Sequence, residues 1–174
     1  VSDDRTFPHL DEAGRARMVD VAGKPATRRT ARAEGVIRMR PDTLVAIRDR
    51  SVEKGDALAV ARVAAIGGAK RTSDLVPLCH PLPLDGVRVE IDEVEDPPGL
   101  RVTVETTTEA RTGVEMEALC AVSAALLALY DMCKARDRGM EIGPIRLLAK
   151  RGGRSGGWSR EADGSFRPDG GALS

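Results

Sequence analysis

The chain has 174 residues, with 27 Lys plus Arg balanced by 27 Asp plus Glu and only 2% aromatic residues. That length suits one domain burying roughly two-thirds of its unfolded surface. The zero net charge gives no general attraction for nucleic acid or an anionic membrane. Three cysteines (Cys79, Cys120, Cys133) without a C-x-x-C pair leave one thiol over in any disulfide scheme. Two histidines, His9 and His80, are too few for a dedicated zinc cluster. No apolar run combines the length and flanks of a transmembrane helix or a secretory signal, so the expectation is a cytoplasmic protein. Phe7, Trp158 and Phe166 lie in the polar ends. Tyr130 is then the only aromatic of the expected core, and no platform for stacking bases remains.

Taken in order, residues 1–11 are polar and read as a loose N-terminus. Met18, Val19 and Val21 form a short apolar patch that could dock as an arm. Alternation from about Arg32 to Met39 predicts a strand. Pro41-Asp42 ends it, with Asp42 as N-cap of a short helix through Ile47. A second helix is predicted from about Gly55 to Ala69, with Leu58, Ala61, Val63 and Ile66 as its apolar set. KRTSDLVPLCHPLPLDG holds three prolines within seven residues and must be loop or extended chain. Val87 to Val94 and Leu100 to Thr107 alternate on either side of Pro97-Pro98-Gly99, a hairpin. A strand from Met140 to Ala149 is broken by Gly143-Pro144, which suggests an edge position or a bulge. Residues 152–174 contain seven of the 18 glycines and read as a mobile tail after a single domain spanning 1–151.

The predicted fold class is α+β. With the extra short helix set aside, the order is β-α-β-β-α-β, the split βαβ or ferredoxin-like pattern. It predicts a four-stranded antiparallel sheet with helices on one face. The other face would carry Arg38, Arg88, Glu90, Arg101 and Thr103 or their neighbours, and such a face commonly meets another subunit.

The chain is organised around RTGVEMEALCAVSAALLALYDMCKARDR, Arg111 to Arg138. Thr112 and Glu115 have the spacing of a capping box. From Ala118 to Tyr130 every residue but Ser123 is apolar, so this helix is expected to be buried on more than one face. Four charges stand out against that background: Glu115, Glu117, Asp131 and Lys134. Asp131 and Lys134 share a face at i, i+3. By spacing alone they are either an ordinary helix ion pair or part of an active site mounted on a rigid core helix.

Other candidates carry the same two readings. Lys54 precedes the second helix, where a cation beside free N–H groups suits phosphate, or where it is simply a surface lysine. Lys70 and Arg71 follow that helix and complement its C-terminal dipole. Leu78-Cys79-His80-Pro81 holds a histidine on a backbone fixed by prolines. That suits a hydrogen bond or proton transfer near neutral pH, or a packed loop histidine. Cys79 reads as a small buried apolar residue rather than a nucleophile. Lys150, Arg151 and Arg154 lie in a glycine-rich setting that could approach an oligophosphate or merely solubilise a tail.

HLDEAGRARMVDV, KGDALAVARVAAIGGAKRTSDLVPLCHPLPL, TGVEMEALCAVSAALLALYDMCKA and IGPIRLLAKRGGRSGGW occur in order between His9 and Trp158. In these motifs the chain resembles the molybdenum cofactor biosynthesis protein C family, the cyclic pyranopterin monophosphate synthases. The resemblance implies a ferredoxin-like subunit in a hexamer, a trimer of dimers with sites at the dimer interface. It implies a lyase that converts (8S)-3′,8-cyclo-7,8-dihydroguanosine 5′-triphosphate to cyclic pyranopterin monophosphate and pyrophosphate. It further implies Asp131 and Lys134 as the catalytic pair. Leu78, Cys79, His80, Met116 and Glu117 would line the substrate site, and Lys54 and Glu115 match motif positions beside it. Lys70, with Lys54 and Lys150, could neutralise the triphosphate. Arg151 and Arg154 stand where the family more often has a small residue and a lysine. No tightly bound cofactor or metal is expected, beyond a Mg2+ that the triphosphate could bring with it.

Two other classes fit the same pattern of elements: a nucleotide-binding regulatory module without turnover, and an RNA-binding ferredoxin-like domain. The second is weakened by the missing strand aromatics.

Overall fold

A computed structural model of the chain describes residues 13–153 and 156–169; the expected loose segment 1–11 and Arg154 lie outside the described residues. The fold is α+β, with one antiparallel sheet and its helices packed on a single face. The elements run β1 (Thr27–Arg38), α1 (Pro41–Arg48), α2 (Ala57–Lys70), α3 (Thr72–Leu75), β2 (Gly86–Val94), β3 (Gly99–Ala110), α4 (Glu115–Cys133), β4 (Glu141–Arg151), β5 (Trp158–Arg160) and β6 (Phe166–Pro168). Strand order is β2-β3-β1-β4-β5-β6. The sheet therefore has six strands among the described residues rather than the expected four.

The two additional strands come from the segment expected to be a mobile tail. β5 pairs with β4 at Ala149↔Ser159 and Lys150↔Trp158, and β6 closes a small hairpin on β5. Its side chains supply the reason. Trp158 and Phe166 meet edge to face at 4.6 Å, and the Arg160 guanidinium lies 5.4 Å over the Phe166 ring. Three-residue strands among glycines leave little periodicity to read.

Alternation along the strands sets the two faces. Ala31, Ala33 and Ile37 of β1 and Leu100, Val102, Val104 and Thr106 of β3 are buried under α4. Gly35 sits beneath the helix because a Cβ there would lie 2.7 Å from Leu126 Cδ1 and 2.8 Å from Val122 Cγ1. The opposite face is a charge lattice: Arg146 to Glu34 at 2.7 Å, Arg88 to Glu90 at 2.9 Å, Arg101 to Glu34 at 3.7 Å and Arg32 to Glu90 at 3.8 Å. Pro144 falls on a stretch of β4 paired only with β1, because β5 reaches only Ala149 and Lys150.

α4 is long and apolar enough, by length and composition, to cross a membrane. Here it is the core helix, with Val122, Leu126 and Leu129 fully buried. α2 lies against it through a stripe of alanines at i, i+4 spacing, Ala57, Ala61, Ala65 and Ala69, all buried. Gly68 brings the two helices closest: a Cβ there would sit 2.6 Å from Ala124 Cβ and 2.8 Å from the Cys120 carbonyl oxygen.

Two expected caps do not form. α4 begins at Glu115 with Val114 as N-cap and no side-chain cap bond. Glu115 turns instead to Lys150 at 3.3 Å, and the Val114 carbonyl accepts from the Thr106 hydroxyl at 3.1 Å. α1 starts at Pro41 with Arg40 as N-cap, and the Asp42 carboxylate is taken by the Arg40 guanidinium at 3.0 Å.

Candidate active site

The last turn of α4 leaves carbonyl groups without helical partners and a negative dipole end. Lys54, from the connection between α1 and α2, answers both. Its ammonium donates to the Asp131 carbonyl at 2.9 Å and to Asp131 Oδ2 at 2.7 Å. Lys134, one turn beyond, holds Oδ1 of the same carboxylate at 2.6 Å. Asp131 is thus gripped at both oxygens by two cations brought together across 77 residues.

The electrostatics follow. The Lys134 and then the Lys54 hydrogen bonds hold the Asp131 carboxyl down to about 2. Asp131 in turn raises Lys134 above the ordinary 10.5, chiefly through the hydrogen bond. The cluster therefore carries one carboxylate and two ammonium groups at neutral pH. It is solvent-facing, with each side chain about half exposed. Expected as a phosphate-binding lysine at a helix start, Lys54 lies just before α2, whose N-cap is Asp56 bonding the Ala59 N–H at 2.9 Å.

A second group gathers at the other end of α4. Glu117 is only 4% exposed, and burial, with Glu115 adding to it, pushes its carboxyl above the usual range. Burial and the nearby Glu117 and Cys120 push the Cys79 thiol up, which suits a packed residue better than a nucleophile. Leu78, Cys79 and His80 are half-buried in the loop after α3, where the Cys79 N–H closes a turn onto the Val76 carbonyl at 3.0 Å. Met116, next to Glu117 in sequence, is 37% exposed. Lys70 ends α2 exposed, with no ion pair among the described residues.

The predicted site residues thus fall into two groups. Lys54, Asp131 and Lys134 come together at one end of α4. Glu115, Glu117, Leu78, Cys79 and His80 lie toward its start. Glu117 and Asp131 are 14 residues apart on one helix, about 21 Å along its axis. A cation passed over in the sequence, Arg29, lines a small cavity with Glu115 and Lys150 and donates to the Ala110 carbonyl at 2.9 Å. Its only signal was a basic run, Arg28-Arg29, at the start of β1. A cavity of about 720 Å³ is lined by Arg38, Arg40, Arg136 and Arg138, but Asp42 and Glu141 engage three of these. No group of three or more potential metal ligands occurs among the described residues.

Fold and cluster define a class: a two-layer α+β chain whose buried central helix presents a doubly held aspartate at its exposed end. The family model described as the MoaC family matches residues 18–153, and the chain belongs to that family. It is 59% identical over 156 residues to the cyclic pyranopterin monophosphate synthase of Methylobacterium sp. (strain 4-46), covering 90% of this chain and 98% of that relative. A protein of the same name from Thermomicrobium roseum is 57% identical over 155 residues, covering 89% and 93%.

Proposed function

We infer that this chain is a cyclic pyranopterin monophosphate synthase of molybdenum cofactor biosynthesis. It takes the 3′,8-cyclised dihydroguanosine triphosphate to cyclic pyranopterin monophosphate and pyrophosphate. The observation that carries the chemistry is the grip of Lys54 and Lys134 on Asp131, with family membership giving the reaction.

Rearranging a purine-derived ring to a pterin needs protons moved between ring atoms, and closing the cyclic phosphate needs a hydroxyl to attack phosphorus and expel pyrophosphate. Lys134, with its proton held more tightly than in a free lysine, is an acid in this resting arrangement. It delivers one of its protons to a substrate atom, and the neutral amine that remains still donates an N–H to Asp131 Oδ1. Such a positioned acid contributes typically ~10²–10⁴ in rate. Lys54 keeps Asp131 ionised and adds a second positive charge for the anionic substrate. Lys70 and Lys150 are the further cations for the triphosphate. The reaction requires no tightly bound cofactor, and a Mg2+ ion would enter as part of the triphosphate.

The strand order β2-β3-β1-β4 with both long helices on one face supports the ferredoxin-like reading of the core, extended by β5 and β6. The two residue groups at opposite ends of α4 support a site shared between subunits. Glu117 and Asp131 lie within about 40° of the same helix face. Two α4 helices set antiparallel across a two-fold axis would therefore give each site one helix start and one helix end. A hexamer of three such dimers, working in the cytoplasm, completes the reading. Complementation tests it: Glu117→Ala and Asp131→Ala proteins, each inactive, regain activity when subunits exchange, because mixed dimers contain one intact site. Confirmed exchange without recovery would place both acids in one chain's site.

A further inference from the structure

Asp137 belongs to none of the groups above, yet it is one of the two buried acids among the described residues, at 3% exposure. It makes no ion pair among them. Its Oδ2 accepts the Arg40 N–H at 2.9 Å and the Thr43 hydroxyl at 3.3 Å, and its Oδ1 accepts the Gly139 N–H at 3.1 Å. It therefore anchors, from 97 residues away, the N-cap residue of α1, a helix start that has no side-chain cap bond of its own. The Arg40 guanidinium adds a bond to the Arg136 carbonyl at 2.9 Å, so two segments are stitched together at several points.

One of these segments is the turn that leaves Lys134. It is fixed to the helix by the Arg136 and Asp137 N–H groups, which donate to the Cys133 carbonyl at 2.9 and 3.0 Å. The other begins α1, which runs on through hydrogen-bonded turns at Ser51 and Gly55 to Lys54. Both border one cavity of about 120 Å³, whose walls include Thr43, Lys54, Cys133, Ala135 and Arg136. The Asp137–Thr43 bond joins the two sides of that cavity.

We propose that Asp137 is a positioning residue: its buried carboxylate latches the turn after Lys134 to the start of α1 and so holds Lys54 in reach of Asp131. This rests on the reading of Lys54, Asp131 and Lys134 as catalytic. Supporting groups of this kind matter because a misplacement of about 1 Å at a reacting centre can cost ~10²-fold in rate.

The test uses the full chain and two readouts: the titration of the Asp131 carboxyl carbon by NMR, and pyrophosphate release. In folded Asp137→Ala, Lys54 leaves Asp131, so the Asp131 midpoint rises from about 2 toward the ordinary 3.8. In the same variant kcat falls about 10- to 100-fold. Asp137→Asn, whose amide oxygen still accepts from Arg40 and Thr43, recovers most of both. In a Lys54→Ala background, Asp137→Ala costs nothing further, because the two act through one contact. An unmoved Asp131 titration in folded Asp137→Ala, or a fully additive loss in the double variant, overturns the proposal. Should Asp137→Ala not fold, Thr43→Val removes one donor to the latch, and it must move the Asp131 titration in the same direction or the proposal fails. If the wild-type protein releases no pyrophosphate, the functional reading fails while the titration still decides the latch.

Discussion

Two adjacent glycines in α2 are expected to respond with opposite sign to the same substitution. A methyl at Gly68 would lie 2.6 Å from Ala124 Cβ and 2.8 Å from a backbone oxygen of α4, neither of which can rotate away. Overpacking of this kind costs about 1–3 kcal/mol. The helix regains about 0.5–1 kcal/mol when glycine becomes alanine. Gly68→Ala is then destabilised by up to about 2.5 kcal/mol, or up to about 10 °C in Tm for a chain of this size. At Gly67 a methyl meets nothing within 4 Å, so only the propensity gain remains. Gly67→Ala should rise by about 1–4 °C. Thermal unfolding and urea midpoints of the three proteins check both signs. Equal shifts of the same sign would refute the close approach of α2 and α4 at Gly68.

Lys134→Ala should keep its circular dichroism spectrum and lose ~10²-fold or more of its turnover, and Lys134→Arg should fail as well, since a guanidinium does not release its proton at working pH. Glu117→Gln should raise Tm at about pH 8 and leave it unchanged at about pH 4. The folded-state pKa of Glu117 lies above its unfolded value, so the buried carboxylate weakens the fold as pH rises through that range and is neutral in both states below it. Asp131 has the opposite sign: its folded pKa of about 2 lies below the ordinary 3.8. Its contribution is therefore present above about pH 4 and lost between about pH 4 and 2, a step that Asp131→Asn removes from an acid-unfolding curve. Exhaustive chelation should neither unfold the protein nor release a stoichiometric transition metal, as elemental analysis before and after would show.

Much of the layout was legible because it is written in local periodicity. The apolar run of α4, the alternation of β1, β2 and β3 and the Pro97-Pro98-Gly99 turn each carry their own signal. Asp131 and Lys134 could be paired from i, i+3 spacing. The third member of that cluster could not be placed there, because nothing near Lys54 in sequence points to a carboxylate 77 residues away. Local rules also misled where a tertiary partner was stronger. Glu115 abandons its capping box for Lys150, and the start of α1 is tied down not by nearby Asp42 but by distant Asp137. β5 and β6 escaped notice because three-residue strands depend on the edge of β4 and on the Trp158–Phe166 contact rather than on a pattern of their own.

The most direct measurement is single-turnover incubation of the full chain with 3′,8-cyclised dihydroguanosine triphosphate, following pyrophosphate and the pterin product together. The account predicts one pyrophosphate for each cyclic pyranopterin monophosphate formed, with both lost in folded Lys134→Ala and Asp131→Ala. Tight binding of the triphosphate with no pyrophosphate released would contradict it and leave a nucleotide-binding module in its place.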